Sequence, residues 1–409
     1  MKPKDKDAQE KFKLCDKLVK EAAFLQAIEA EATRPISETS DTATMVVPPE
    51  YDGPRLELDH LLGGGGKSGK SPSSGDKSPE GKGGKKGGVG DGTGIVTLEF
   101  VEAVVERFRS QKTLHPKYVW NLLLVCKAIF AEEMTILEAP IPDGGELTVC
   151  GDTHGQFYDL LNIYEINGAP SPTNPYMFNG DFVDRGSFST EVVLTLFCYK
   201  ALYPKSMFLH RGNHETKNMN KIYGFDGEVK AKYTNDVADL FAEVFQFVPL
   251  GSVIANKIFV CHGGLFSKDG VTISDLRKIN RVMEPPDDGP MVEMLWSDPQ
   301  PQPGRSPSKR GVGVAFGPNV TKKFLKDNDL KMLVRSHEVK DEGYEVHHDG
   351  QCITIFSAPN YCDQMGNKGA FIRFGADLEP NFTQYEAVPH PQIRPMAYSN
   401  PQMASQMGF

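Results

Sequence analysis

The sequence of 409 residues lacks several features that would assign it to other classes of protein. It contains no run of eighteen apolar residues, so we expect no membrane span. Its formal net charge of −9 argues against general nucleic-acid binding, because such binding needs a basic surface. The first residues are charged and no apolar stretch follows them, so we expect no secretory signal.

Cysteine is also scarce. The seven cysteines are odd in number and scattered along the chain, so they do not form a disulfide framework. This pattern favours a reducing compartment. We therefore predict that the protein is in the cytoplasm or the nucleus.

Three polar blocks that begin with glycine stand out in the middle of the chain. Each block directly follows a short apolar run that predicts a buried strand, and segments with helical spacing separate the three blocks. By the crossover rule, such strands are parallel, and their polar blocks meet at one edge of the sheet. The runs and the blocks that follow them are residues 147–150 with 151–155, 176–178 with 180–186, and 207–209 with 212–215.

The second half of the chain contains more predicted strand than helix. Apolar runs at residues 258–261 and 332–335 each lead into a histidine, and further strands are predicted at 353–356 and 371–374. We therefore predict an α/β (α+β) fold of two packed mixed β-sheets flanked by helices, with a short helical N-terminal extension.

The chain also shows a clear domain organisation. Residues 1–34 predict an amphipathic helix with an apolar stripe between residues 5 and 32. Residues 35–94 predict a linker whose Gly-, Lys- and Ser-rich part, from residue 62, is expected to be disordered. That part matches the phosphate-loop pattern at residues 64–71, but it has no flanking strand and helix, so we expect no nucleotide site. Residues 95–390 form the predicted catalytic domain, and 391–409 a loosely held, proline-rich tail.

The predicted strand ends carry a set of residues that suits metal ions. Carboxylate, amide and imidazole groups together favour manganese, with iron and zinc as alternatives. The set exceeds what one four-coordinate metal needs, so we predict two divalent metals with a bridging carboxylate, for which Asp181 is the candidate. The predicted ligands are Asp152, His154, Asp181, Asn213, His262 and His337.

A two-metal site of this kind lowers the pKa of a shared water, so that a bridging hydroxide can attack a phosphoryl group directly. We predict that Arg185 and Arg310 contact the phosphate, because a planar guanidinium group matches its oxygens bidentately. His214 is placed to protonate the leaving oxygen, and Asp184 could hold that imidazole. Tyr361 is either a phosphate contact or a packing residue.

Other functions remain open from the residues alone. A single histidine at a strand end is usually a packed core or surface residue, although the whole set is much harder to explain in that way. A cysteine phosphatase is excluded, because no cysteine precedes an arginine by the required six residues. A phosphodiesterase or nucleotide phosphatase would use the same metal chemistry. A non-catalytic adaptor would instead use the first helix and the tether.

Six motifs resemble those of the metallophosphoesterase superfamily and, within it, of the serine/threonine phosphoprotein phosphatases. GDTHGQ, GDFVDRG, RGNHE, HGG, RSHE and SAPNYC stand in this order, within a match that covers residues 95–400. The resemblance implies that Asp152, His154 and Asp181 bind one metal. It also implies that the other metal is bound by Asp181, Asn213, His262 and His337.

The resemblance also assigns roles around the two metals. His214 would be the proton donor with Asp184 as its orienter. The substrate contacts would be Arg185, Asn213, His214, Arg310 and Tyr361. The implied activity is the hydrolysis of phosphoserine and phosphothreonine in proteins.

Longer stretches resemble the subfamily that carries tetratricopeptide repeats. In that subfamily the repeats cover the active site and bind a heat-shock chaperone. No 34-residue repeat is visible in this sequence, so we expect the repeats to be absent. We therefore expect an enzyme that is not autoinhibited, and chaperone binding is in doubt.

Overall fold

The computed structural model describes residues 35–39, 41–58 and 95–400. The predicted N-terminal helix, the Gly- and Lys-rich insert with its phosphate-loop match, and the last nine residues lie outside these ranges. Within the described ranges, no helix combines the length and the apolar content that crossing a bilayer requires.

Fourteen strands form three sheets in the described residues. The strands are β1 Ile136–Ala139, β2 Leu147–Cys150, β3 Tyr176–Phe178, β4 Met207–Leu209, β5 Gly251–Ile254, β6 Ile258–Cys261, β7 Asp298–Pro299, β8 Arg305–Pro307, β9 Val314–Phe316, β10 Met332–Arg335, β11 Tyr344–His347, β12 Cys352–Ile355, β13 Gly369–Phe374 and β14 Pro380–Tyr385.

The first large sheet has the strand order β14-β13-β2-β3-β4, and the second has the order β1-β5-β6-β10-β12-β11. Strands β2, β3 and β4 are parallel, as predicted, and β13 runs antiparallel to β2. In the second sheet β6, β10 and β12 are parallel, while β11 is antiparallel to β12. The third sheet is small, with the order β7-β9-β8.

Ten α-helices surround these sheets in the described residues. They are α1 Leu98–Arg109, α2 Pro116–Glu132, α3 Phe157–Asn167, α4 Ser189–Leu202, α5 Lys217–Tyr223, α6 Phe225–Lys232, α7 Asn235–Phe247, α8 Ile273–Leu276, α9 Pro290–Trp296 and α10 Pro318–Asp327. The side chain of Thr97 accepts a hydrogen bond from the backbone N–H of Phe100, as expected for an N-cap. Pro116 occupies the first turn of α2, where the missing N–H costs no hydrogen bond.

The apolar side chains form layers that hold the two large sheets together. Val149 and Met177 of the first sheet share one buried cluster with Val260 and Val334 of the second sheet. A larger cluster covers the outer face of the first sheet with α1, α2, α4 and α7, and another covers the second sheet with α9 and α10. The predicted fold of two packed mixed sheets flanked by helices is confirmed.

Residues 41–58 pack on the main domain, although the sequence predicts only a linker there. Leu56 is 3% exposed, and its carbonyl oxygen accepts a hydrogen bond from the side chain of Asn121. Asp52 forms ion pairs with Arg107 and Lys112. The division of the chain into domains stays a prediction, but this segment contributes to the core of residues 95–390.

The expectation of a loosely held tail is wrong for residues 391–400. The backbone of Asn400 donates a hydrogen bond to Ile222, and Ser187 contacts the backbone of Arg394 and Ala397. Proline prevents regular structure here, which is why the sequence suggests a loose tail. The backbone groups find partners on the main domain instead.

Candidate metal centre

The predicted site residues come together at the carboxyl ends of five strands. Asp152 and His154 follow β2, Asp181 follows β3, and the loop after β4 carries Asn213 and His214. The remaining two ligands, His262 and His337, follow β6 and β10 of the second sheet. Of the seven residues just named, six line a cavity of about 350 Å³, and the seventh, His262, is fully buried.

The loops that meet here are tightly packed and partly strained. A Cβ atom on Gly180 would lie 2.6 Å from the Cα atom of Gly212, so glycine is required for this close approach. His154, Asp181 and His337 all have positive φ angles, which non-glycine residues adopt only when the surroundings enforce them. Such strain is typical of functional sites.

Asp152, His154 and Asp181 form the first group of candidate ligands. The Nε2 atom of His154 lies 3.7 Å from a carboxylate oxygen of Asp152 and 3.5 Å from one of Asp181. The Nδ1 atom of His154 lies 2.9 Å from the carbonyl oxygen of Val183. Because a carbonyl oxygen only accepts, Nδ1 carries the proton and Nε2 presents a lone pair to the two carboxylates.

Asp181 also belongs to the second group, together with Asn213, His262 and His337. The Nε2 atom of His262 lies 3.2 Å from Asp181 Oδ2, 2.9 Å from Asn213 Oδ1 and 3.1 Å from His337 Nδ1. Its Nδ1 atom lies 2.8 Å from the carbonyl oxygen of Asn179, so Nε2 again presents a lone pair. The central position of Asp181, within reach of both groups, agrees with a bridging role.

The chemistry of these donor atoms fits metal ions. Burial raises the pKa of Asp152 to about 7 and that of Asp181 to about 8, so neither carboxylate ionises readily without nearby positive charge. Burial also lowers the pKa of His154 and His262, so protonation of the imidazoles does not supply that charge. The buried Nε2 atom of His337 has no hydrogen-bond partner among the described residues. Cations between these groups would stabilise both carboxylates and accept the lone pairs of His154 Nε2 and His262 Nε2.

His214 and Asp184 form a buried pair at the edge of the cavity. The Nδ1 atom of His214 lies 2.8 Å from a carboxylate oxygen of Asp184. Asp184 also accepts hydrogen bonds from the backbone of Phe225 and the side chain of Asn220, which fix its orientation. The Nε2 atom of His214 is 4.0 Å from Asp181 Oδ2, so this nitrogen faces the two ligand groups.

Three further predicted residues line the same cavity. The guanidinium group of Arg185 lies 3.8 Å from the centre of the Tyr223 ring, a cation–π contact that holds the side chain over the ring face. Arg310 donates to Asp298 and to the carbonyl oxygen of His337. The ring of Tyr361 lies 5.1 Å from that of His154.

Sequence reasoning missed the role of Glu215, although it belongs to the same block as Asn213. Glu215 is fully buried, and its carboxylate accepts hydrogen bonds from the backbone N–H groups of Asp181, Phe182 and Gly212. It therefore ties together the loops after β3 and β4. Its place at the end of a ligand-bearing block, just before a helix, is a signal that could have indicated this role.

Asn179 is a second residue that the sequence did not single out. Its side chain donates to the carbonyl oxygen of Cys261 and to the hydroxyl of Ser336, which directly precede two candidate ligands. Its backbone carbonyl accepts from His262. Asn179 thus connects the two sheets beneath the metal centre.

Comparisons with known proteins agree with this geometry. A family model described as calcineurin-like phosphoesterase matches residues 146–341. Serine/threonine-protein phosphatase 5 of Homo sapiens is 52% identical over 402 residues, which cover 98% of this chain and 74% of the human one. The chain belongs to the serine/threonine-protein phosphatase 5 family. It is a protein serine/threonine phosphatase with a metallophosphoesterase domain.

Two further phosphatases are also similar to this chain. Serine/threonine-protein phosphatase T of Trypanosoma brucei brucei is 50% identical, covering 97% of this chain and 77% of its own. A solved structure of a Saccharomyces cerevisiae protein serine/threonine phosphatase, described as similar to human phosphatase PP5, matches with a TM-score of 0.72 and 43% identity. The match covers 74% of this chain and all of the yeast chain. The predicted family and enzyme class are confirmed, and the adaptor alternative is not supported.

The prediction that the tetratricopeptide region is absent is wrong. A family model described as PPP5 TPR repeat region matches residues 12–138, a range that includes helices α1 and α2. The sequence prediction relied on a visible 34-residue period, and the Gly- and Lys-rich insert interrupts this range. The doubt about chaperone binding and the expected lack of autoinhibition both depended on that absence, so neither is supported.

Proposed function

We propose that this phosphatase hydrolyses phosphoserine and phosphothreonine at a dinuclear centre. Asp152, His154 and Asp181 would hold one metal ion. Asn213, His262 and His337 would hold the other, with Asp181 shared between the two. When bound, the two ions supply Lewis-acid stabilisation and a water of lowered pKa. Manganese remains our prediction for the metal, with iron and zinc as alternatives.

The side chains around the cavity bind and orient the phosphate group. Arg185 and Arg310 lie on opposite loops and present positive charge to the phosphoryl oxygens, and Tyr361 adds a hydroxyl donor. Asn213 and His214 complete the contacts. The stacking of Arg185 on Tyr223 and the ion pair of Arg310 with Asp298 hold both guanidinium groups in place before substrate arrives.

His214 protonates the leaving oxygen of serine or threonine. Burial and the positive charge of Arg185 lower the pKa of the free imidazole well below its usual range. A phosphate dianion in the cavity has the opposite effect, because it stabilises the imidazolium form. Asp184 fixes the ring so that the proton on Nε2 faces the substrate.

One observation above all supports this proposal. The imidazole Nε2 atoms of His154 and His262 both present lone pairs to the carboxylate of Asp181, at 3.5 and 3.2 Å, in a fully buried setting. Such an arrangement is costly without cations. The His214–Asp184 pair faces the same carboxylate, which places a proton donor beside the proposed metals.

The leaving group offers a direct test of the role of His214. In His214→Ala, kcat on a phosphoserine peptide should fall by roughly 10²–10⁴, the usual value of a general acid. On 4-nitrophenyl phosphate the loss should be much smaller, because nitrophenolate leaves without a proton. In Asp184→Asn, kcat should also fall more on the phosphopeptide than on 4-nitrophenyl phosphate, but by less than in His214→Ala. Equal losses on both substrates would contradict the proposed proton transfer.

The remaining assignments are also proposals. Phosphoproteins are the proposed substrates, and a comparison of phosphopeptide with bis-nitrophenyl phosphate and a dinucleotide would separate this from the phosphodiesterase alternative. Residues 95–390 are the proposed catalytic domain. The PPP5 TPR repeat region at residues 12–138 is a protein-interaction region. Location in the cytoplasm or the nucleus stays a prediction.

A further inference from the structure

Residues 388–400, which we call the C-terminal strap, cross the outside of two loops of the proposed site. The Arg185 loop comprises residues 184–188, and the Tyr361 loop comprises residues 359–364. A narrow cleft of about 30 Å³ separates the strap from both loops, with His390 and Met396 on one side and Arg185 and Cys362 on the other.

The first part of the strap is attached to the Tyr361 loop. The Nε2 atom of His390 lies 3.0 Å from a carboxylate oxygen of Asp363. Just before it, the backbone N–H of Val388 donates to Asp159, at 2.9 Å. The side chain of Gln156 joins the other carboxylate oxygen of Asp159 to the carbonyl oxygen of Pro359, where the loop begins.

The middle of the strap is attached to the Arg185 loop. The hydroxyl of Ser187 donates to the carbonyl oxygen of Arg394 at 3.4 Å and accepts from the backbone of Ala397 at 3.3 Å. The ring of Phe188 lies 6.1 Å from the ring of His390, edge to face. His390 therefore contacts both loops, one through Asp363 and one through Phe188.

The last part of the strap supports the ring on which Arg185 stacks. The backbone N–H of Asn400 donates to the carbonyl oxygen of Ile222 at 2.9 Å, directly before Tyr223. A Cβ atom on Gly224 would lie 3.1 Å from the backbone of Tyr398, so the two chains approach closely on the far side of Tyr223. Tyr223 in turn accepts a hydrogen bond from the backbone of Arg185.

Both loops have backbone conformations that need external support. Asp184 and Arg185 have φ angles of 70° and 69°, and Cys362 and Asp363 have φ angles of 56° and 57°. Each such residue costs on the order of 1–3 kcal/mol relative to an unstrained one, and consecutive pairs are stable only when neighbouring segments fix them.

We infer that the C-terminal strap is a positioning element for the phosphatase reaction, and that His390 is its central positioning residue. By bonding to Asp363 and packing on Phe188, His390 keeps Tyr361 and Arg185 at the separation that phosphate binding requires. This inference rests on the proposed roles of Arg185 and Tyr361 as phosphate contacts. It does not depend on how the metals are held.

The hydrogen bonds of His390 agree with a bridging function. Its Nδ1 atom lies 2.9 Å from the carbonyl oxygen of Pro391, and its Nε2 atom faces the carboxylate of Asp363. Both partners only accept hydrogen bonds, so the protonated ring donates to both of them, while the neutral ring donates to one.

The test uses the full chain loaded with manganese and the variants His390→Ala, Asp363→Ala and the double variant. For each, the Kd of inorganic phosphate, kcat and KM on a phosphopeptide, and the metal content are measured. We expect the Kd and KM to rise about tenfold in each single variant, equivalent to ~1.4 kcal/mol, with metal content unchanged. The double variant should lose little more than either single one, because both remove the same contact.

Hydrogen exchange provides a readout that does not need activity. In His390→Ala, the amides of the Tyr361 and Arg185 loops should exchange faster, while those of β2 and β3 should not. His390→Gln keeps one N–H donor and should restore most of the phosphate affinity. His347→Ala is the matched control: His347 Nε2 also lies near a carboxylate oxygen, that of Glu345 at 3.6 Å, but the residue is on β11. It should leave the phosphate Kd unchanged.

The outcomes separate this inference from the proposed function. Unchanged phosphate affinity in His390→Ala, or faster exchange spread evenly over the domain, would overturn the positioning role of the strap. If His390→Ala weakens phosphate binding as expected, but His214→Ala loses no turnover, the strap inference stands. In that case the proposed proton donor is wrong.

Discussion

The floor and the rim of the catalytic cavity are built in different ways. The floor consists of the candidate metal ligands; Asp152 and Asp181 are each 1% exposed, and His262 is fully buried. The rim consists of the proposed phosphate contacts Arg185, Arg310 and Tyr361. The side chain of Arg310 is 25% exposed and is held by its ion pair with Asp298 and a hydrogen bond to the carbonyl oxygen of His337.

The difference shows that the two parts of the cavity are positioned in different ways and should contribute to different steps. Each floor residue follows a buried strand, so the sheets place it directly. The rim residues lie on loops, and their positions depend on partners that are distant in sequence, such as the C-terminal strap. Changes in the floor should therefore affect metal binding and the rate of reaction. Changes in the rim should affect mainly the affinity for phosphate.

The largest expected effect comes from a floor residue. Asp152→Asn replaces a charged candidate ligand with a neutral amide, which weakens metal binding, so kcat should fall by about two orders of magnitude or more. Bound metal, measured by mass spectrometry, should fall as well. Asp329→Asn, which changes an exposed aspartate paired with Lys257, is the control. Normal turnover in Asp152→Asn would refute its role.

A smaller effect, on stability and metal affinity, is expected from Glu215, which lies next to the floor residues. Glu215→Gln replaces one of two acceptor oxygens with an amino group that faces backbone N–H groups, which costs about 1–3 kcal/mol of stability. Metal affinity should fall about 10–100-fold, as for other residues that orient ligands. Thermal unfolding and metal titration measure the two effects. Glu293→Gln, a buried glutamate that accepts from Ser267, should lower only the stability.

A rim substitution should weaken binding rather than chemistry. Arg310→Lys keeps the charge but loses the planar, two-pronged donor, so KM should rise about tenfold on the scale of one charge-assisted hydrogen bond. Metal content should stay at the wild-type value. Arg305→Lys changes an arginine on β8 that pairs with Asp269, and it should leave KM unaltered. A loss of metal in Arg310→Lys would show that floor and rim are not separable.

The smallest effect concerns pH and the strap. Burial alone would lower the pKa of His390, but its hydrogen bonds to Pro391 and Asp363 raise it above the usual value. The resulting stabilisation is therefore complete below about pH 6.5 and is lost as pH rises through the folded-state pKa. The Tm difference between wild type and His390→Gln should be larger at pH 6 than at pH 9, by about 1 °C.

His347 provides the control for that measurement. Burial lowers the pKa of His347 to about 4, so its ring is neutral at both pH values. The Tm difference for His347→Gln should not change between pH 6 and pH 9. A constant difference for His390→Gln as well would mean that its pairing with Asp363 adds no charge-dependent stability.

Much of the floor could be predicted from the sequence because strand and ligand are adjacent in the chain. The predicted runs at 147–150, 176–178 and 207–209 coincide with strands β2, β3 and β4. The strand predicted at 353–356 is shifted by one residue. Such small differences are usual at element ends.

The tetratricopeptide region shows the limit of pattern reading. Its absence was predicted from the lack of a visible repeat, whereas the family model matches residues 12–138. Periodicity detects repeats only while they resemble one another along the chain. In this sequence a long insert interrupts that range, so the periodicity of the repeats is not visible.

By itself, the sequence determined which side chains stand at the ends of buried strands. A short apolar run indicates a buried strand, and the polar block that directly follows it must then lie at the end of that strand. Only the tertiary structure decided which lone pairs face each other across Asp181, and that Glu215 and Asn179 hold the loops from below. It also decided that residues 388–400 contact the loops that carry Arg185 and Tyr361. These contacts join groups that are far apart in the chain, such as Ser187 and Ala397, which are 210 residues apart, and no local pattern records them. The stabilising free energy of these contacts comes from the burial of side chains and the pairing of hydrogen-bonding groups. Both exist only once the sheets have packed.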